Sequence, residues 1–227
     1  MHCENDCACP IEAHQRACAK GEPKVRIYIP FYSRYGNVEQ MAKAVGDGVV
    51  EAGGEAILAY VHDPCTPPEV IAADERWVIT YERLTRDYPQ ATPEELAACD
   101  GACFGTPTRF GNAAAPMRNF FDMMAPLWMS GALINKPGAV FVSTATLHGG
   151  QEATTIATWL PLVHLGMVIV GVPYSEQILL TTRTGGTPYG PSHVAGQTGE
   201  RPLDEDEAGV CRALGRRVAL LAEKLKA

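Results

Sequence analysis

Five short apolar runs, at 25–29, 56–61, 101–105, 139–143 and 167–171, are separated by segments of helical character. That alternation constrains the chain more than any other feature, because it is the pattern of a parallel sheet with crossover helices on both faces. The apolar content of the runs suits strands buried on both sides. The expected class is therefore α/β. At 227 residues, 46% apolar and 20% charged, the chain has the length and balance of one globular domain with a sizeable core.

The helices are legible from spacing and caps. Val38, Met41, Ala42, Val45 and Val49 recur at helical intervals, and Gly53 and Gly54 end that helix. Thr92-Pro93-Glu94-Glu95 reads as a capping box, with Thr92 as N-cap, Pro93 at the first helical position and Glu95 reaching back. Residues 116–124 and 154–165 suit two further helices, the second started, kinked or interrupted by Pro161. At 204–225, Val210, Leu214, Val218, Leu221 and Leu225 form an apolar stripe, with acids first and Lys224 and Lys226 last. Stretches 63–91 and 174–202 carry no regular signal. Irregular lengths of that size are usually functional, and the second is expected to cover a site or a partner subunit.

A formal charge of −7 argues against attraction to nucleic-acid backbones or anionic lipid. No run of about 18 apolar residues is present and the first residues are polar, so a cytoplasmic location is expected. Eight cysteines then read as free thiols by default. Cys99 and Cys103 flank the third run and are expected to be buried. Cys3, Cys7, Cys9 and Cys18, with His2 and His14 nearby, offer soft ligands for zinc or an iron–sulfur cluster, or else form a thiol-rich tail. Their spacing fits no standard zinc or ferredoxin run.

Ligands of an open parallel sheet bind beyond the carboxyl ends of the strands, where strand order reverses. After the first run come Ser33, Arg34, Tyr35, Gly36, Asn37 and Val38, leading directly into a helix. Hydroxyl and glycine residues at a helix N-terminus suit a phosphate, although a turn and cap with no ligand is equally compatible. The loop is neither a Walker loop nor a dinucleotide fingerprint. After the third run, Thr108, Arg109 and Phe110 offer a hydroxyl, a cation and an aromatic edge, or a plain surface turn. After the fourth come Ser143, Thr144, Ala145, Thr146, Leu147 and His148. Three such loops at one edge of a sheet point to a bound, phosphorylated ring cofactor.

These segments resemble, in order, those of the WrbA-type NAD(P)H:quinone oxidoreductases. The resemblance runs from Lys24 onward and also includes Leu127-Trp128, Ser130-Gly131-Ala132-Leu133, His164 with Gly166-Met167, and 185–190. It implies a flavodoxin-like three-layer sandwich with a five-stranded parallel sheet in order 2-1-3-4-5, over residues 24–227. Residues 1–23 form a Cys-rich extension without counterpart. It further implies FMN as cofactor, with its phosphate on residues 33–38, its ring against Thr108, Arg109 and Phe110, and its other edge wrapped by 143–148. His164 would reach the flavin from a neighbouring subunit of a homotetramer, Trp128 would roof the substrate cavity, and Tyr35 would lie near the nicotinamide. No side chain is expected to be catalytic in itself, because the flavin carries the hydride chemistry between NADH or NADPH and a quinone. Leu165 in place of a second histidine, Ala145 in place of a glycine, and Ala113, Ala114 and Ala115 depart from the pattern.

Two other readings remain at this level. One is a flavodoxin-like electron carrier, fed by a metal or iron–sulfur site in the extension. The other is a metal-sensing or scaffold protein in which the thiol-rich head is the functional part.

Overall fold

The computed structural model describes residues 25–226. Strands β1 (Arg26–Phe31), β2 (Glu55–Tyr60), β3 (Gly101–Arg109), β5 (Pro137–Thr144) and β6 (Val168–Ile169) pair in the order β2-β1-β3-β5-β6, every pairing parallel. This is the expected 2-1-3-4-5 order. Two short strands add to it. β4 (Asn112–Ala113) turns back antiparallel on the end of β3, and β7 (Ser192–Val194) pairs with the end of β5.

Helix α1 (Asn37–Glu51) connects β1 to β2, and α7 (Gln151–His164) connects β5 to β6. The first crossover moves one way along the sheet and the second the other, so right-handed connections place the two helices on opposite faces. The carboxy-terminal helix α9 (Glu205–Lys226) packs against α1. Their axes approach closely: a Cβ at Gly48 would lie 2.0 Å from the Arg212 carbonyl oxygen, and one at Gly215 2.0 Å from that of Val45. The core between the layers is built on Ile27, Ile29, Phe31, Phe104 and Phe141, all fully buried. Cys99, Cys103 and Cys211 are buried among these groups, and burial pushes the Cys99 thiol up to about 11.

The structure corrects several expectations. The stretch 63–91 contains α2 (Pro68–Ala72) and α3 (Glu75–Asp87). The Asp74 side chain caps α3 by accepting from the Trp77 N–H at 3.2 Å, and only Trp77 and Leu84 of that helix are buried. Trp77, Tyr81, Leu84 and Tyr88 recur at helical spacing, but the charged and polar residues between them keep the segment low in apolar content, so it does not stand out as an apolar run. At α4 (Pro93–Ala98), Thr92 caps as expected, but Glu95 does not reach back. It binds Arg26 at 2.8 Å, and the Thr92 N–H instead donates to the Tyr28 hydroxyl at 2.9 Å. Helix α7 runs through Pro161 rather than stopping there. The expected helix at 116–124 is α5 (Ala115–Asp122), followed by α6 (Ala125–Ser130), which carries Trp128. The fifth run is a strand only at β6. The remaining length of β5 is paired by β7, and the segment between, with Pro173, Pro188 and Pro191, loops outward around α8 (Ile178–Thr181).

Candidate functional site

Strand order reverses between β1 and β3, so the loops leaving these strands diverge and open a cleft at the carboxyl edge of the sheet. Ser33, Arg34, Tyr35, Asn37, Val38, Thr108, Arg109, Ser143, Thr144 and Ala145 all line it. Ala195, Gly196, Gln197, Thr198 and Gly199 close its remaining side. The sequence had flagged that last segment only as part of an irregular stretch.

The floor suits a phosphate. Helix α1 is capped by Gly36 at φ +89°, with no side-chain acceptor on its first-turn N–H groups. Fifteen residues of helix aim their positive end at the cleft, and any Cβ at position 36 would force strained left-handed backbone. Asn37 donates one amide hydrogen to the Gly199 carbonyl at 3.0 Å, tying the first loop to the fourth segment.

Thr108 and Arg109 do not sit in a loose turn. They end β3, and the two-residue connection Phe110-Gly111, at φ +52° and +76°, leads into β4 with Arg109 opposite Asn112. Positive φ at both positions is the tight hairpin geometry that matches strand twist. A phenylalanine held there is strained, and its ring is fully exposed beside the cleft. The Thr108 hydroxyl pairs with that of Thr154 on α7 at 2.7 Å, which fixes the hairpin to the opposite wall.

The first turn of α3, missed in the sequence, clamps the first loop. Asp74 accepts from the Tyr35 hydroxyl at 2.5 Å and pairs with Arg34 at 3.3 Å. The Arg34 guanidinium lies 3.7 Å over the Trp77 ring and 5.1 Å from that of Tyr35, while Arg76 stacks on Tyr35 at 4.7 Å and donates to the Thr198 carbonyl at 2.9 Å. The Tyr35 hydrogen bond, foremost, holds the Asp74 carboxyl below the usual range. Behind the loop, Glu39 is gripped by Arg83 of α3, by Lys43 and by Tyr88.

The fourth segment is held by a buried network. Glu207 accepts from the Gly185 and Val194 N–H groups, both at 3.0 Å, and pairs with His193 at 2.7 Å and Arg201 at 2.9 Å. Burial alone would raise the Glu207 carboxyl. The His193 hydrogen bond, the backbone donors and the His193 charge overturn that and hold it at about 2.

A second, larger cleft of about 720 Å³ adjoins the first and shares Arg34 and Arg109 with it. Phe110 and Trp77 line this second cleft.

The other residues singled out in the sequence lie elsewhere. Ala145 reaches the first cleft, whereas Thr146 is exposed beyond it, and Leu147 and His148 line a separate depression with Thr187. His164 is exposed at the far end of α7, roughly 20 Å of helix from the cleft at 1.5 Å per residue. Trp128 is exposed on α6. Cys3, Cys7, Cys9 and Cys18 lie outside the described residues, and among the described residues no group of His, Cys, Asp or Glu is placed to hold a metal.

Residues 33–176 match the family described as NADPH-dependent FMN reductase. A protein of Trichlorobacter lovleyi named NAD(P)H dehydrogenase (quinone) is 47% identical over 208 residues, covering 89% of this chain and 99% of its own. One of the same name from Geobacter metallireducens is 43% identical, covering 89% of this chain and 100% of its own. Among solved structures, a flavodoxin, WrbA-like protein from Agrobacterium tumefaciens superposes with a TM-score of 0.60 at 21% identity, over 88% of this chain and 98% of that one, which shows a shared flavodoxin-like fold. The chain belongs to the NADPH-dependent FMN reductase family, beside relatives named NAD(P)H dehydrogenase (quinone).

Proposed function

We propose that this chain is an FMN-dependent NAD(P)H:quinone oxidoreductase. The observation that carries the reading is the start of α1, capped by a glycine with no side-chain acceptor, at the floor of a cleft whose rim is three strand-end loops, with a second cleft opening beside it. The N–H groups of the first turn, with Ser33 and Asn37, hold the phosphate. Thr108, Arg109 and Phe110 flank one side of the ring, and Ser143, Thr144 and Ala145 the other. When bound, FMN would supply the two-electron redox chemistry between a nicotinamide and a quinone. The protein's part is to position flat donors and acceptors against it and to exclude water. Tyr35, fixed by Asp74, orients the nicotinamide.

His164 and Trp128 serve a neighbouring subunit's site within a homotetramer. Exposed Trp128, Met129, Ile134, Leu160 and Val163 supply the apolar surface for that assembly, and His164 is too far along α7 to serve its own cleft. The flavin-binding domain is residues 24–227, with 1–23 a separate segment. No helix among the described residues is long and apolar enough to cross a membrane. A cytoplasmic site of action accords with four unpaired cysteines among the described residues.

The test is a visible spectrum of the purified protein under anaerobic conditions. A yellow protein that bleaches with NADH or NADPH and regains colour with a benzoquinone meets the expectation. A protein that stays colourless after incubation with FMN, or does not bleach, defeats it.

A further inference from the structure

Three arginines, Arg34, Arg109 and Arg118, line the larger cleft. The chain is acidic overall, and Arg26, Arg76, Arg83, Arg86, Arg201, Arg212 and Arg216 each pair with a carboxylate. Arg109 and Arg118, which line this cleft, have no carboxylate partner among the described residues. Arg34, the third arginine in the wall, is stacked on Trp77 and held through one terminal nitrogen by Asp74, which leaves its Nε without an acceptor. The indole Nε1–H of Trp77, a side chain 97% buried by its 3% exposure, also lacks an acceptor.

Two carboxylates line the same cleft. Asp63 already accepts from the Tyr32 hydroxyl, the Cys65 and Thr66 N–H groups and the Thr66 hydroxyl. Asp122 lies one turn beyond Arg118 on α5, with no ion pair between them among the described residues. What remains are the exposed Arg109 and Arg118, without carboxylate partners among the described residues, at the wall of a cavity of about 720 Å³, more space than a single nicotinamide or quinone ring fills.

Resting on the oxidoreductase reading, we propose that this cleft binds the adenosine diphosphate-ribose half of the nicotinamide dinucleotide, with Arg118 and Arg34 on its diphosphate. Planar guanidinium forks suit paired phosphate oxygens. The shared wall at Arg34 and Arg109 lets one dinucleotide span both clefts, nicotinamide end toward the first. Quinones, which carry no diphosphate, use only the ring end. The first turn of α3 therefore selects the electron donor rather than the acceptor, since Asp74 and Trp77 fix the plane of the Arg34 guanidinium.

The experiment is calorimetric titration of the purified full-length protein with ADP-ribose, which has the diphosphate and no nicotinamide. Wild-type protein is expected to bind it. Arg118→Gln, a change at an exposed position that leaves the fold intact by circular dichroism, is expected to bind about tenfold more weakly, as is usual on loss of one charge-assisted contact. Arg34→Gln serves as a second variant with the same expectation. In parallel, reduced 1-benzylnicotinamide, a hydride donor without the diphosphate, is expected to bleach wild type and Arg118→Gln at equal rates, while KM for NADH rises in the variant. Absence of ADP-ribose binding, or equal affinity in wild type and both variants, overturns the proposal. Bleaching by NADH in that case leaves the oxidoreductase reading standing, whereas a colourless protein fails that reading and the titration still decides the cleft.

Discussion

Glu39 sits in the first turn of α1, directly behind the cleft floor, and is almost fully buried with Arg83, Lys43 and Tyr88 around it. Burial by itself would raise its carboxyl. The Arg83, Lys43 and Tyr88 hydrogen bonds more than reverse this and take it from 4.5 to about 2. Because the folded value lies below the unfolded one, Glu39 contributes stability in full above about pH 4.5 and loses it as the pH falls through about 2. A drop of that size corresponds to about 3 kcal/mol at about 1.4 kcal/mol per unit. Arg83 and Lys43 are 37% and 56% exposed, so solvent screening trims the expectation for Glu39→Gln to about 2 kcal/mol. Urea unfolding at fixed protein and flavin concentration, followed by circular dichroism, measures it at pH 7 and again near pH 2. The deficit of the variant is expected to shrink to under about 0.5 kcal/mol at the lower pH, where wild-type Glu39 is itself losing its charge. A deficit that stays constant between the two would refute the electrostatic account and assign the effect to packing.

Gly48→Ala is expected to cost about 1–3 kcal/mol in the same assay, because the added methyl meets the Arg212 carbonyl and the α1 and α9 axes must separate. Phe110→Asn relieves left-handed strain and is expected to stabilise by about 1 kcal/mol, while slowing quinone turnover; a destabilised variant would show that the ring packs. Glu207→Gln is expected to weaken FMN retention in gel filtration, since the 195–199 segment loses its anchor; unchanged retention would dissociate that segment from the cofactor. His164→Ala is expected to leave circular dichroism unchanged and to lower FMN affinity only in the assembled protein, which dilution titrations can separate.

Sequence by itself determined the sheet. Five apolar runs with crossover helices between them admit few parallel arrangements, because strands buried on both faces take charge only at their ends, as at Arg26, Glu55 and Arg109, and right-handed connections fix the sides on which helices lie. It also determined that the loops after β1, β3 and β5 converge, since strand ends in such a sheet share one edge, and Ser33, Thr108 and Ser143 duly line one cleft. Tertiary structure decided the fourth wall and the clamp. Ala195 to Gly199 reach the cleft only because β7 pairs with the end of β5 and Glu207 gathers His193, Val194 and Arg201 from segments with no periodic signal. Helix α3 meets Arg34 and Tyr35 across about 40 residues of chain separation, through a cation–ring stack that no local spacing encodes. Local periodicity reports which face of an element is buried. A mostly polar helix that buries only Trp77 and Leu84 keeps its helical period, but it carries too few apolar residues to show from sequence what it packs against.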